Sequence, residues 1–246
     1  MIRRREIALV LVILAPLAAL LLAADPIAQD PGYHAFADRR TLFGIPNFGN
    51  VASNLAFLLV GVLGLHLCSD AWIGGARRAW TLFFAGTLLV SLGSGYYHWA
   101  PRDATLVWDR LPMTVAFMGL FVALISEHMA GDVERKWLLP AVLVGAASVA
   151  WWHYTGDLRF YVWVQLAPLL AIPMVLATYP ARYSHRAFLM YGLICYALAK
   201  AVEFGDSAIL SMSSGALSGH TLKHLLAAAA TFFVYLMLRT RKPLPA

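Results

Sequence analysis

Charge is scarce in this sequence. Of its 246 residues only 13% are Asp, Glu, Lys or Arg, while 61% are hydrophobic. A soluble domain of this length can bury a core, but it needs a more polar surface than that composition supplies. Cysteine is scarcer still. Cys68 and Cys195 are the only two, each inside an apolar block, which excludes a disulfide framework and a cysteine-rich zinc motif. Internal repeats and low-complexity tracts are missing as well. So is any sustained apolar–polar alternation; the apolar residues run in long uninterrupted blocks, as they do in helices surrounded by lipid. The net charge of +6 would point to nucleic acid in a soluble protein. Here the cations sit between the apolar blocks, so membrane topology accounts for them and no nucleic-acid partner is expected. The expected fold class is all-α, a polytopic membrane protein.

Eight apolar spans follow one another: Ile7–Ala24, Val51–Cys68, Trp80–Tyr97, Leu111–Met129, Trp137–Trp152, Phe160–Thr178, Ala187–Phe204 and His220–Leu238. A helix crosses a bilayer with about 20 residues, in a range of roughly 17–25. Most of these fit, and Trp137–Trp152 is short enough to require extension or tilt. Trp72, Trp80, Trp99, Trp108, Trp137, Trp151 and Trp152 gather at span ends, as an interfacial aromatic belt does. With the amino terminus inside, the inner segments carry twelve Lys and Arg and the outer ones five, with Lys200 and Lys223 inside spans. The positive-inside rule therefore places both termini in the cytoplasm. Short loops and the lack of cysteine favour a bacterial inner membrane. The first block, behind Arg3, Arg4 and Arg5, also resembles a signal peptide. Its apolar core of eighteen residues exceeds the usual length of roughly 7–15, which favours a retained helix.

In that topology the polar residues that are expensive in lipid collect at the outer ends. The third span closes on Ser91, Ser94 and His98, with Ser94 and His98 at i and i+4 on one helix face. Asp109 stands at the mouth of the fourth span. The seventh carries Lys200 and Glu203 and leads to Asp206, and the eighth opens with His220 and His224, again at i and i+4. Alternating helix directions bring these ends to one membrane face. A histidine pair one turn apart can chelate a metal ion. Three neutral imidazoles suit zinc and leave a fourth position open, as catalytic sites do.

Each residue also has a plainer reading. His98 suits a membrane interface, Ser94 suits close helix packing, and Asp109 beside Arg110 suits a solvated helix start. Lys200 and Glu203 are spaced to pair along one helix, and Asp206 is placed to orient a ligand histidine from behind. Lys223 is expected to snorkel toward the surface or meet a lipid headgroup. The remaining histidines, His34, His66, His128, His153 and His185, fall at ends or in loops without such partners.

The stretches "SGYYHW", "WDRLPM" and "GHTLKH", with "NVASNLAFLLVG" at Asn50–Gly61, resemble the alkaline ceramidase family. That family lies within a wider group of seven-helix membrane hydrolases that includes adiponectin-receptor-like proteins. The resemblance runs from about Phe43 to Leu238. It implies a seven-helix hydrolase domain over residues 43–246, preceded at 1–42 by one extra helix and an outer loop. It implies Zn2+ on His98, His220 and His224. Asp109 would act on water and pass a proton to the leaving amine, and Ser94 would hydrogen-bond the substrate carbonyl or its developing oxyanion. Ser91, Lys200, Glu203 and Asp206 would support them.

Two departures stand out. Asn47 occupies the place of a family glutamate, and the acidic stretch associated with calcium is missing, so calcium is not expected. The function implied is hydrolysis of an N-acyl sphingoid membrane lipid to fatty acid and free amine. An ester or phospholipid hydrolase would use the same site, and a non-enzymatic lipid receptor or transporter is the reading from another class.

Overall fold

Each apolar block becomes a helix, because a bilayer leaves the backbone no hydrogen-bond partner outside its own segment. The computed structural model describes residues 4–70, 72–129 and 132–245. Its helices are α1 (Arg4–Ala23), α2 (Phe48–Ala52), α3 (Leu55–Asp70), α4 (Arg77–Trp99), α5 (Asp103–His128), α6 (Val133–Thr155), α7 (Arg159–Thr178), α8 (Ala187–Phe204), α9 (Asp206–Met212) and α10 (Gly219–Thr240). Among the described residues no β-strand forms beyond isolated bridges. Seven helices, with α2 and α3 taken as one run over Phe48–Asp70, are long and apolar enough to cross a membrane. The protein is an all-α polytopic membrane protein.

Three spans differ most from their sequence limits. Leu111–Met129 starts about two turns earlier, as α5 from Asp103, so Asp109 lies inside the helix and not at its mouth. The polar residues Asp103, Asp109 and Arg110 hide that start in a hydropathy pattern. Trp137–Trp152 lengthens to the 23 residues of α6, which starts among Glu134, Arg135 and Lys136 and stands outside the seven most apolar helices. Charge at its first turn hides its true start in a hydropathy pattern. The span beginning at Val51 is interrupted between α2 and α3 at Ser53 and Asn54. Side chains there compete for the helical carbonyls: Ser53 Oγ and Asn54 Nδ2 both donate to the Asn50 carbonyl, at 3.1 and 2.7 Å.

The larger core packs Trp80, Phe83 and Phe84 of α4 against Leu124 of α5, Val175 of α7 and Leu238 of α10. A second core, formed by Phe36, Tyr97, Leu106, Val149, Trp152 and Tyr161, lies under the loop that follows α1. Helix α1 joins the bundle on α7, with Leu9 and Ile13 buried and Trp163 Nε1 donating to the Ile13 carbonyl at 2.8 Å. At the end of the bundle away from the histidines, Glu127 and Arg241 form a buried ion pair. Trp80 Nε1 completes it by donating to Glu127 Oε1 at 2.8 Å.

Candidate metal centre and its cavity

The local sequence sets up the site before any ligand is considered. Ser218 caps α10, its Oγ accepting from the Thr221 amide at 3.0 Å. Asp206, at the start of α9, accepts from the His220 amide through Oδ1 at 2.8 Å. Two of the first-turn donors that a helix leaves open are thereby satisfied. Gly219 permits this, because a Cβ there would collide with the Val202 carbonyl and lie 2.7 Å from Asp206 Cα. His220 and His224 then follow one turn apart on a fixed helix start.

Helices α4 and α5 bring the rest. Pro112 cannot donate to the Trp108 carbonyl one turn back, and that carbonyl rests against Gly93 of α4, where any Cβ would overlap it. The close approach brings Ser94 and Asp109 to the wall of one cavity.

His98, His220 and His224 are all buried, and their ligating atoms lie within 4.8 Å of one another. His98 Nε2 and His224 Nε2 are 3.1 Å apart. Two imidazole nitrogens held tetrahedrally at about 2.0–2.1 Å from one zinc ion are about 3.3 Å apart. The spacing fits a shared cation. His220 Nε2 is buried without a hydrogen-bond partner, an arrangement that costs free energy unless something accepts its lone pair.

His224 is oriented from behind. Ser53 Oγ lies 2.8 Å from His224 Nδ1 and gives its own proton to the Asn50 carbonyl, so it accepts from Nδ1–H. That tautomer leaves Nε2 free to ligate, the usual device by which a neighbouring group fixes a metal-binding imidazole. Phe36, from the loop after α1, packs at a tilt against His98 and His220, with ring centroids 4.7 Å away in both cases. Asn47 donates to the His98 carbonyl at 2.8 Å.

From this centre a cavity of ≈ 310 Å³ runs into the bundle between α4, α5, α7, α8 and α10. Ser94, Asp109 and His224 stand on its wall, and most of the remaining lining is apolar. Such a space, greasy with a few converging polar groups, suits a lipid chain with its reactive group at the polar end.

The other residues singled out by sequence fall as follows. Ser91 turns back to its own helix, donating to the Leu88 carbonyl at 2.6 Å. Lys200 pairs with Glu203 at 2.9 Å and stands on the cavity wall. Asp206 holds backbone amides, those of His220 and Ala37, where a ring nitrogen was expected. Lys223 does not snorkel outward: its ammonium meets Glu203 at 2.7 Å and borders the cavity. Arg110 is no solvated partner of Asp109 but is buried. His34 is not isolated; it bridges Tyr97 and Asp103 at 2.9 and 3.1 Å. Ser53, Phe36 and Tyr33 escaped sequence reasoning. For Ser53 the available signal was a polar cluster interrupting an apolar span.

The model of the Ceramidase family matches residues 43–242. No individual curated protein matches the chain.

Proposed function

The chain belongs to the Ceramidase family, a family of membrane hydrolases that cleave the amide of ceramide, and from that premise we propose that it is a zinc-dependent hydrolase of a membrane lipid amide, releasing fatty acid and free amine. One observation carries the reading: three buried histidines have converging ligand atoms, and one of them, His224, lines a largely apolar cavity whose wall also holds Ser94 and Asp109. His98, His220 and His224 would hold the zinc, which when bound supplies Lewis acidity and a water acidic enough to ionise near neutral pH.

The protein's own groups do the rest. Asp109 takes a proton from the attacking water and delivers it to the leaving amine nitrogen. Ser94 donates its hydroxyl to the scissile carbonyl oxygen as negative charge develops there. The apolar cavity wall holds the acyl chain and excludes water from it. Residues 43–246 form the hydrolase unit and 1–42 the preceding helix and loop. The distribution of Lys and Arg, twelve inside against five outside, supports cytoplasmic termini and a site facing outward from a bacterial inner membrane.

The test is zinc content per purified protein together with fatty-acid release from ceramide, for the wild type and for His220→Ala plus His224→Ala. We expect about one zinc per chain in the wild type, with both zinc and activity lost in the variant. A folded, metal-replete wild type without zinc would overturn the proposal. Zinc with turnover of lipid esters but not amides would keep the site and change the bond.

A further inference from the structure

Arg110 lies two turns into α5, yet only 5% of it is exposed. Its guanidinium carbon sits 3.9 Å from the ring centroid of Trp152, 4.9 Å from Tyr161 and 5.9 Å from Tyr33. One guanidinium nitrogen, Nη2, donates to Gln29 Oε1 at 2.5 Å, while Nη1 is buried without a partner. No carboxylate forms a salt bridge with it among the described residues. Aromatic faces offset part of the cost of burying a cation, but they leave the unpartnered donor unsatisfied. A buried cation inside a membrane protein marks a functional position by default.

Arg110, Tyr33 and Tyr161 all line the cavity that holds Ser94 and Asp109. Arg110 follows Asp109 directly, so its side chain leaves α5 about 100° around the helix from the carboxylate. Charge at the cavity is also unbalanced. Arg110, Lys200 and Lys223 stand against Asp109 and Glu203, three cations to two acids, and Glu203 is already shared between the two lysines.

We infer that Arg110 and its aromatic box form a second subsite, which takes a carboxylate or phosphate on the head of the lipid amide. The substrate class is then an acidic N-acyl amphiphile, its acyl chain in the apolar part of the cavity and its anionic head on the planar guanidinium fork. Gln29 and Tyr33 precede the family-matched region, which begins at residue 43, so the subsite is built partly from the extra amino-terminal segment. This inference rests on the hydrolase reading for calling the ligand a substrate; the subsite itself does not.

N-palmitoylglycine and N-palmitoylethanolamine share one chain and one amide and differ in a terminal carboxylate against a hydroxyl. Their binding to the purified, zinc-loaded protein in detergent is read by quenching of tryptophan fluorescence, with fatty-acid release followed separately. We expect the wild type to bind the glycine conjugate about tenfold more tightly, and Arg110→Gln to bring the two within about twofold. The phosphate ester of the ethanolamine conjugate serves as the second acidic head, and the tighter of the two names the group.

A wild type without preference for either acidic head overturns the subsite with no variant needed. A preference that survives Arg110→Gln but vanishes with His220→Ala plus His224→Ala would put the anion at the histidines and overturn it too. Palmitate bound as tightly, and as dependently on Arg110, would assign the position to the acyl product and overturn the assignment to the head. If the preference holds while neither amide is cleaved, the hydrolase reading fails alone and the subsite stands.

Discussion

Ser53 shows how much of a histidine site can depend on a residue that contacts no substrate. Its hydroxyl spends its only proton on the Asn50 carbonyl and so receives the His224 Nδ1 proton. Ser53→Ala removes the acceptor, frees the imidazole to turn, and leaves the other tautomer equally accessible. Losing such an outer partner lowers metal affinity or activity by about 10–100-fold, and a zinc titration against a competing chelator should show a loss of that size with the fold intact. An unchanged affinity would mean that packing alone holds the ring. The histidines were legible from spacing, because i and i+4 residues share a helix face whatever lies around them. Ser53 was not, because its partner lies 171 positions away in sequence. Lys223 misled for a related reason: snorkelling is the solution for a lone cation near a helix end, and Glu203 of α8 supplies a better one.

At the scale of elements, the pairing of α4 with α5 positions the two groups proposed for catalysis. Helices in lipid gain little from apolar burial against each other, so close packing through small residues has to hold them. Gly93 sits against the Trp108 carbonyl that Pro112 leaves free, and Gly86 would place a Cβ 2.5 Å from the Ala116 amide nitrogen. Gly93→Ala should therefore push the helices apart and cost about 1–3 kcal/mol of stability, visible as a lower Tm. Activity should fall as well, since Ser94 is the next residue and its place opposite Asp109 on the cavity wall depends on that approach. A variant with wild-type Tm and turnover would contradict this account. The long helices were all readable, because uninterrupted apolar length is the signal and the bilayer enforces it; the short α9 (Asp206–Met212) was not, since seven residues carry no such length. The break at Ser53 was not, since it arises from side chains competing for one carbonyl rather than from proline or glycine.

At the scale of the whole molecule, the amino-terminal segment and the bundle act as one structure around the site. Residues before 43 supply Phe36 to the histidine rings, Tyr33 to the cavity wall and Gln29 to Arg110. That segment is fastened at the loop between α6 and α7. Asp157 Oδ1 accepts from the Ile27 amide at 3.2 Å, the Leu158 amide donates to the Ile27 carbonyl at 2.8 Å, and Arg159 Nη1 donates to the Ala24 carbonyl at 2.7 Å. Arg159 also pairs with Asp157 at 2.8 Å. Its hydrogen bond is the main reason that Asp157 is held down to about 2, from an ordinary 3.8.

A carboxylate lowered in this way contributes stability that is complete above its unfolded value and lost as pH falls through its folded one. The fastening should thus hold above about pH 4 and loosen between about 4 and 2. Hydrogen exchange over residues 20–30 is the measurement. In the wild type, protection there, corrected for the intrinsic pH dependence of exchange, should fall across that window. In Asp157→Asn it should be lower from the start and nearly flat, because the titrating group is gone. If the variant matches the wild type near neutral pH, the carboxylate does not hold the segment. If both show the same fall in acid, a group other than Asp157 controls it. Loosening should also weaken amphiphile binding wherever Tyr33 and Gln29 are needed, so Asp157→Asn should lose part of the preference for an acidic head while retaining its zinc.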